Sequence, residues 1–370
     1  MKATVWTAAV MLGVSIAVVI AVVPQFEVMH QEEVIKKGAG VTAVKLLSDY
    51  FSGLEGTAGD TEVFLLDSGQ PGGTVVILGG THPNEPSGLI TAVMLIENAK
   101  PAKGRLIVIP RANASGFTHT DYSEGSPQRF SLPTPSGERW FRFGSRATNP
   151  IHQWPDPDIY VHPSGQRLSG SETRNLNRAY PGRPDGNLTE QVAYGIVQLI
   201  RAEKADIAID LHEASPEYPV INAMVAHDRA MEIAATAVIE LQLDGIEIGL
   251  EPSPKSLRGL SHREWGDATE TLAILVESAN PAQGRLRGAT SAELVVSGED
   301  QMYARAAKLG RLFVPFEGKG IPLSVRVARH MATIKELIRT FSEITPDRAI
   351  ELNGVPSYAD MVKQGIGSFL

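Results

Sequence analysis

The chain of 370 residues contains no cysteine, which excludes disulfides, thiolate metal sites, cysteine nucleophiles and lipid attachment through cysteine. Any metal must therefore rest on His, Asp or Glu. Basic residues are outnumbered by acidic ones, 34 against 42, and form no long run. Affinity for a phosphate backbone needs clustered Lys and Arg, so nucleic acid is not an expected partner. Aromatics are sparse at 6%, while 43% of the residues are hydrophobic, an ordinary globular balance in a chain long enough for one large core or two smaller ones. Several catalytic signatures are missing too. There is no Gly-x-Ser-x-Gly elbow, no His-Glu-x-x-His helix and no Gly-x-x-x-x-Gly-Lys phosphate loop, so serine-hydrolase and nucleotide-hydrolase chemistry fall away.

One long apolar run is present. Residues 5–23 form an uncharged stretch of 19, close to the roughly 20 that span a bilayer as a helix. The run exceeds the about 7–15 apolar residues of a signal-peptide core, and no convincing small-x-small cleavage site precedes Pro24. The reading is an uncleaved membrane anchor over 1–24, with a cleaved signal and secretion as the alternative. Lys2 before the run and Glu27, Glu32 and Glu33 after it place the N-terminus in the cytoplasm and the body outside, a polarity that Lys36 and Lys37 oppose. Residues 25–40 read as a linker, 41–345 as the main domain and 346–370 as a C-terminal tail without legible chemistry.

Within the main domain, short β-branched runs at 62–67, 74–79, 105–109, 206–211, 220–225 and 272–276 alternate with amphipathic segments. Leu89, Val93 and Ile96, with Met94 beside them, mark a helix beginning near Pro86. Val192, Ile196, Leu199 and Ile200 mark a second behind Thr189 as its cap, and Val327, Met331, Ile334, Ile338 and Phe341 mark a third. The alternation predicts an α/β fold with a mixed, mainly parallel sheet sandwiched between helices, behind the N-terminal transmembrane helix. Residues 120–173 interrupt the pattern with seven prolines, five glycines, Trp140 and Trp154. They read as a long excursion of the kind that shapes a binding cleft on a rigid scaffold.

Four segments carry candidate chemistry. In VVILGGTHPNEPSG (75–88) an apolar strand runs into a glycine turn that presents His82 and Glu85 just before a helix, the usual place for a ligand site in an open α/β sheet. His-x-x-Glu alone is weak, and a surface turn with Glu85 on the helix dipole is an equal reading. In DIAIDLHEA (206–214) a second apolar strand delivers His212. A His82, Glu85, His212 set leaves a fourth position for water, the open arrangement of a catalytic zinc, and Asp210 is placed to orient a ligand. In RNLNRAYPG (174–182), Asn177 and Arg178 pair an amide with a guanidinium, suited to gripping a carboxylate; backbone bridging by Arg178 is the structural alternative. In LAILVESAN (272–280) a very apolar strand ends in Glu277, a costly carboxylate unless it is paired or functional. Beside a metal site it is the general base.

In this order, His82-x-x-Glu85, the Asn-Leu-Asn-Arg loop, His212 and Glu277 resemble the zinc carboxypeptidase superfamily, especially its succinylglutamate desuccinylase/aspartoacylase branch. IPRAN (109–113) and NPAQGRLR (280–287) are similar to segments of that branch, and the resemblance covers about 74–287. It implies one zinc per chain on His82, Glu85 and His212, Glu277 as acid/base, and Asn177 and Arg178 as the grip on a substrate carboxylate. It also implies an arginine that polarises the scissile carbonyl. Arg142 is the first choice, with Arg167 or Arg174 in reserve, and Glu247 is a rival to Glu277. The implied activity is zinc-dependent amide hydrolysis on an N-acyl amino acid, with a peptide-trimming metallocarboxypeptidase and a non-catalytic tethered binding module as alternatives. Two features depart from the branch: the helical pattern at 325–341, where the branch has a β-rich domain, and the anchor. His262 and Arg263 read as a solvated loop, and the glycosylation patterns at Asn113 and Asn187 are too common by chance to use.

Overall fold

The computed structural model describes residues 2–28, 31–121 and 125–370. Positions 29 and 30 of the expected linker and 122–124 of the expected excursion lie outside the described residues. Eight strands pair into one mixed sheet: Ala43–Leu46 (β1), Glu62–Asp67 (β2), Thr74–Leu78 (β3), Arg105–Ile109 (β4), Ile207–Ala214 (β5), Ala223–Ala226 (β6), Gly249–Pro252 (β7) and Leu272–Ala279 (β8). Their spatial order is β1-β2-β4-β3-β5-β8-β6-β7. The central four, β4, β3, β5 and β8, are parallel. β1 and β2 join antiparallel on one side, and β6 returns antiparallel along β8 with β7 parallel to it at the edge.

The helices are Lys2–Val28 (α1), Pro86–Asn98 (α2), Leu188–Ala202 (α3), Met231–Leu243 (α4), Ser261–Ala268 (α5), Ala292–Ser297 (α6), Gln301–Lys308 (α7), Leu323–Ile344 (α8) and Tyr358–Gln364 (α9). Every residue of β3 is buried, as a central parallel strand covered on both faces requires. Val75 and Ile77 join the core under α2, α4 and α8, whereas Val76 and Leu78 face α3 and Trp265 of α5. The fold class is thus the expected mixed α/β sheet between helix layers. β1 and β7 escape the sequence pattern because each is a four-residue edge strand carrying polar or proline residues, AVKL and GLEP.

Three local differences bear on the site. β5 and β8 run three residues past their expected ends because their parallel ladder continues through His212↔Glu277 to Ala214↔Ala279. The cap of α3 is Asn187, not Thr189: the Asn187 side chain accepts from the Glu190 amide and Glu190 reciprocates in a capping box, while Thr189 is buried against Gln153 and Thr148. Finally, α2 lies unusually close to the sheet. A Cβ on Gly88 would stand 2.8 Å from the Leu211 carbonyl oxygen, and one on Gly79 would stand 2.4 Å from that of Gly88. Only glycine allows this approach, which presses the start of α2 against β3 and β5.

The excursion contains two hairpin ribbons, Arg129–Thr134 with Gly137–Arg142 and Ile159–Val161 with Arg167–Ser169. The segment read as a tail is packed: Glu351–Asn353 pairs with Lys100–Lys103, and Met361 of α9 is buried. α1 is the one helix among the described residues long and apolar enough to cross a membrane, and none of its Thr4–Pro24 span is buried against the protein.

Candidate active site

The parallel strands β3, β5 and β8 deliver three polar groups to one rim of the sheet. His82 and Glu85 come from the turn between β3 and α2, with Glu85 at the N-cap position of α2. Its carboxylate makes no cap bond to its own helix. Instead one oxygen lies 2.7 Å from His82 Nδ1 and the other 2.9 Å from His212 Nδ1, while the Glu213 amide donates to it at 3.0 Å. The reading of Glu85 as a surface helix-dipole residue does not describe this structure, since all three side chains are about 1% exposed.

The remaining ring nitrogens are held from behind. His82 Nε2 lies 2.9 Å from Asn175 Oδ1, and His212 Nε2 lies 2.9 Å from Asp210 Oδ2, though the angle there falls short of a straight hydrogen bond. Asp210 is fixed in turn by the Thr81 hydroxyl at 2.6 Å. With both Nε2 atoms engaged, the two Nδ1 atoms face each other at 3.2 Å, close to the about 3.3 Å edge expected of a tetrahedron with bonds of about 2.0–2.1 Å. Burial and the Arg146 charge lower the His82 pKa to about 4, keeping that imidazole neutral. Burial alone would do the same to His212, but Asp210 and Glu85 outweigh it and raise its pKa. One ligand atom from each of the three residues lies within 4.8 Å of the others. This buried His-Glu-His donor set fits zinc by ligand type and by the carboxamide and carboxylate supports behind the imidazoles.

Glu277 stands beside this group, its strand position paired with His212. It is partly exposed to the cleft, its Oε2 is buried without a hydrogen-bond partner among the described residues, and its pKa is raised to about 8, chiefly by burial. Buried polar atoms are nearly always satisfied, so an orphaned carboxylate oxygen in a cleft points to function. The rival Glu247 is exposed outside this cleft.

A cavity of about 500 Å³ opens over these residues and is also lined by Arg146, Asn177, Arg178 and His262. Asn177 is locked by the Ser261 amide, which donates to its Oδ1 at 2.8 Å. Arg178 is braced on the Asn177 carbonyl at 2.7 Å, and burial lowers its pKa. The structure therefore brings His82, Glu85, His212, Glu277, Asn177 and Arg178 together. It does not bring Arg142. That side chain is 3% exposed and bound to Glu33, with Nε to Oε2 at 2.7 Å, a partner 109 residues away that the local sequence does not reveal. Arg174 is paired with Asp156 at 2.7 Å and Arg167 is exposed on the second ribbon.

Arg146 occupies the place expected of Arg142, its Nη1 lying 3.2 Å from both Glu85 Oε1 and His82 Nδ1. A Cβ on Gly144 would come within 2.6 Å of the Pro83 side chain, so the segment just before Arg146 presses on the His82 turn, a closeness that the sequence does not display. Asn175 was also missed as the support of His82. His262 and Arg263 are buried at the start of α5 and bonded to Ser253 at 2.7 and 3.0 Å, correcting the solvated-loop reading.

No family model matches the chain. A stretch of 159 residues, 42% of this chain, is 24% identical to the N-alpha-acetyl-L-2,4-diaminobutyric acid deacetylase of Halomonas elongata and spans 33% of that protein. A succinylglutamate desuccinylase from Silicibacter sp. TM1040 is similar in structure with a TM-score of 0.38 at 18% identity, over 59% of this chain and 53% of that one. A metallo-carboxypeptidase from Burkholderia cenocepacia gives a TM-score of 0.49 at 11% identity, over 84% of this chain and 67% of that one. The chain thus spans about a third of the curated relative and about half of the desuccinylase. The similar proteins named are thus a deacetylase, a desuccinylase and a carboxypeptidase.

Proposed function

We propose that the chain is a zinc-dependent amide hydrolase acting on substrates with a free carboxylate, its catalytic unit being residues 41–345 and its anchor residues 1–24. The observation that carries this reading is the Glu277 carboxylate, with its buried and unpartnered Oε2, standing beside His82, Glu85 and His212. A zinc ion on those three residues would supply Lewis-acid polarisation and acidify water. Arg178 and Asn177 bind the substrate carboxylate and fix the register of the amide. Arg146 donates to the carbonyl oxygen as it gains negative charge. Glu277 takes a proton from the attacking water as the new C–O bond forms, then gives it to the departing nitrogen as the C–N bond breaks. A carboxyl group with a pKa near neutrality suits both transfers.

N-acyl amino acids and peptides with a free C-terminus both present an amide next to a carboxylate, so deacylase and carboxypeptidase are two uses of one geometry. The apolar α1, whose Thr4–Pro24 span is not buried, supports the carboxypeptidase use, on an extracytoplasmic body held at a membrane. The test is Glu277→Gln. The variant is expected to keep stoichiometric zinc and lose activity by about 10²–10⁴-fold on a panel of acyl amino acids and peptides. Full turnover by that variant, or a wild-type protein purified without zinc and indifferent to chelation, removes the hydrolase reading and leaves a binding module.

A further inference from the structure

The floor of the cavity has a direction. Leu275 of β8, Val225 of β6 and Glu251 of β7 are successive register partners, and Leu275 lies two positions before Glu277. Side chains two apart on a strand share a face, so the row Leu275, Val225, Glu251 points to the same side as Glu277 and leads away from it across two strands. All three line the cavity. Strand spacing and rise place the Glu251 backbone about 12 Å from that of Glu277.

The walls beside this row are apolar, formed by Pro252, Leu257 and Leu260. At its far end the Glu251 carboxylate is exposed and, among the described residues, has neither a hydrogen bond nor an ion pair. Of the other lining carboxylates, Glu85 is bound to the two histidines and Glu213 to Arg326 at 2.8 Å, while Glu277, with its unpartnered oxygen, stands beside the histidines. The cavity is therefore polarised, with Arg146, Arg178 and Glu277 by the histidines, an apolar middle and the Glu251 carboxylate at the far end.

A substrate whose carboxylate rests on Arg178 extends its side chain along this floor. A second carboxylate would meet Glu251 with like charge, and an aliphatic chain would fill the middle and leave Glu251 without a partner. An ammonium group on a flexible aliphatic stem satisfies both. We propose that the residue bearing the free carboxylate carries an amine-tipped side chain, and that Glu251 selects it. This deepens the hydrolase reading and rests on it.

The experiment uses the zinc-loaded full-length protein and three N-acetyl amino acids, or the matching dipeptides, ending in lysine, norleucine or glutamate. The readout is the ratio of kcat/KM values within each variant, which does not depend on the folded fraction. Wild type is expected to favour lysine over norleucine by about tenfold and to disfavour glutamate. Glu251→Gln brings the lysine-to-norleucine ratio close to one, and Glu251→Lys raises glutamate above norleucine. A wild-type ratio near one, or a lysine preference that survives Glu251→Gln, overturns the proposal while leaving the hydrolase reading intact. If no substrate is cleaved, the hydrolase reading fails instead. Calorimetric binding of free lysine against free norleucine to wild type and Glu251→Gln then decides the selectivity by the same ratio.

Discussion

Asn175 holds His82 by its outer ring nitrogen, with Oδ1 2.9 Å from Nε2, and so fixes which face of the imidazole looks into the site. The same oxygen accepts the Asn177 amide at 3.0 Å, and the Asn175 side-chain amide donates to Glu172 at 2.7 Å, so the loop that carries the proposed substrate grip also orients a proposed metal ligand. Removing such a support usually weakens metal binding by about 10–100-fold. Asn175→Ala is expected to weaken zinc affinity by that factor in a competition titration with a chelator, whereas Arg178→Ala leaves the affinity unaltered and raises KM. Equal zinc affinities for Asn175→Ala and wild type would show that Asn175 does not support the ligand.

Arg142 and Arg146 lie four residues apart and are expected to fail in different ways. Arg146 is 41% exposed and reaches the ligand set, so Arg146→Ala should lower kcat by about 10²–10³-fold with little change in the melting temperature. Arg142 is buried against Glu33, and removing one partner of a buried pair costs about 3–5 kcal/mol. Arg142→Ala should thus unfold at lower denaturant and retain its turnover per folded molecule. The denaturation midpoint and kcat measured on both variants separate the two roles, and exchanged phenotypes would reverse the assignment.

The Glu33 carboxylate works against its burial, but the hydrogen bond and charge of Arg142, with the charge of Arg111, lower its pKa below the ordinary 4.5. A carboxyl group whose pKa is lowered by folding binds protons more readily in the unfolded chain. Its stabilising effect is complete above the ordinary value and fades as the pH falls through the folded one. Urea midpoints taken between about pH 6 and about pH 3 should therefore drop more steeply for wild type than for Glu33→Gln. Parallel curves would mean that Glu33 carries no such linkage.

Much of this architecture was legible because it is written in short-range periodicity. The apolar run of β3 leads into the turn that carries His82, those of β5 and β8 are broken by His212 and Glu277, and the polarity change in each marks where a buried strand reaches a cleft. The arginine was not legible. Arg146 arrives through an irregular stretch with no period to follow, and Arg142 is withdrawn by a glutamate far away in the chain. α8 hid a second exception. Its apolar face was read correctly, yet Arg326, Arg329 and His330 are also buried on it. Arg326 pairs with Glu213, and His330 meets the His212 carbonyl at 3.0 Å. These polar contacts form between elements more than a hundred residues apart, which no window of sequence displays.

Glu33 also sets the length of a leash. Four residues, 29–32, separate it from Val28, the last residue of α1, and five peptide links extend at most roughly 18 Å. Beyond Glu33 the chain has no slack either, because the Lys36 amide bonds Glu97 at 2.8 Å and that of Gly38 bonds the Ile96 carbonyl at 3.2 Å. With α1 inserted in a bilayer, the folded body would hug the lipid surface, and the hydrolase proposed above would work only on material that comes within arm's length of it.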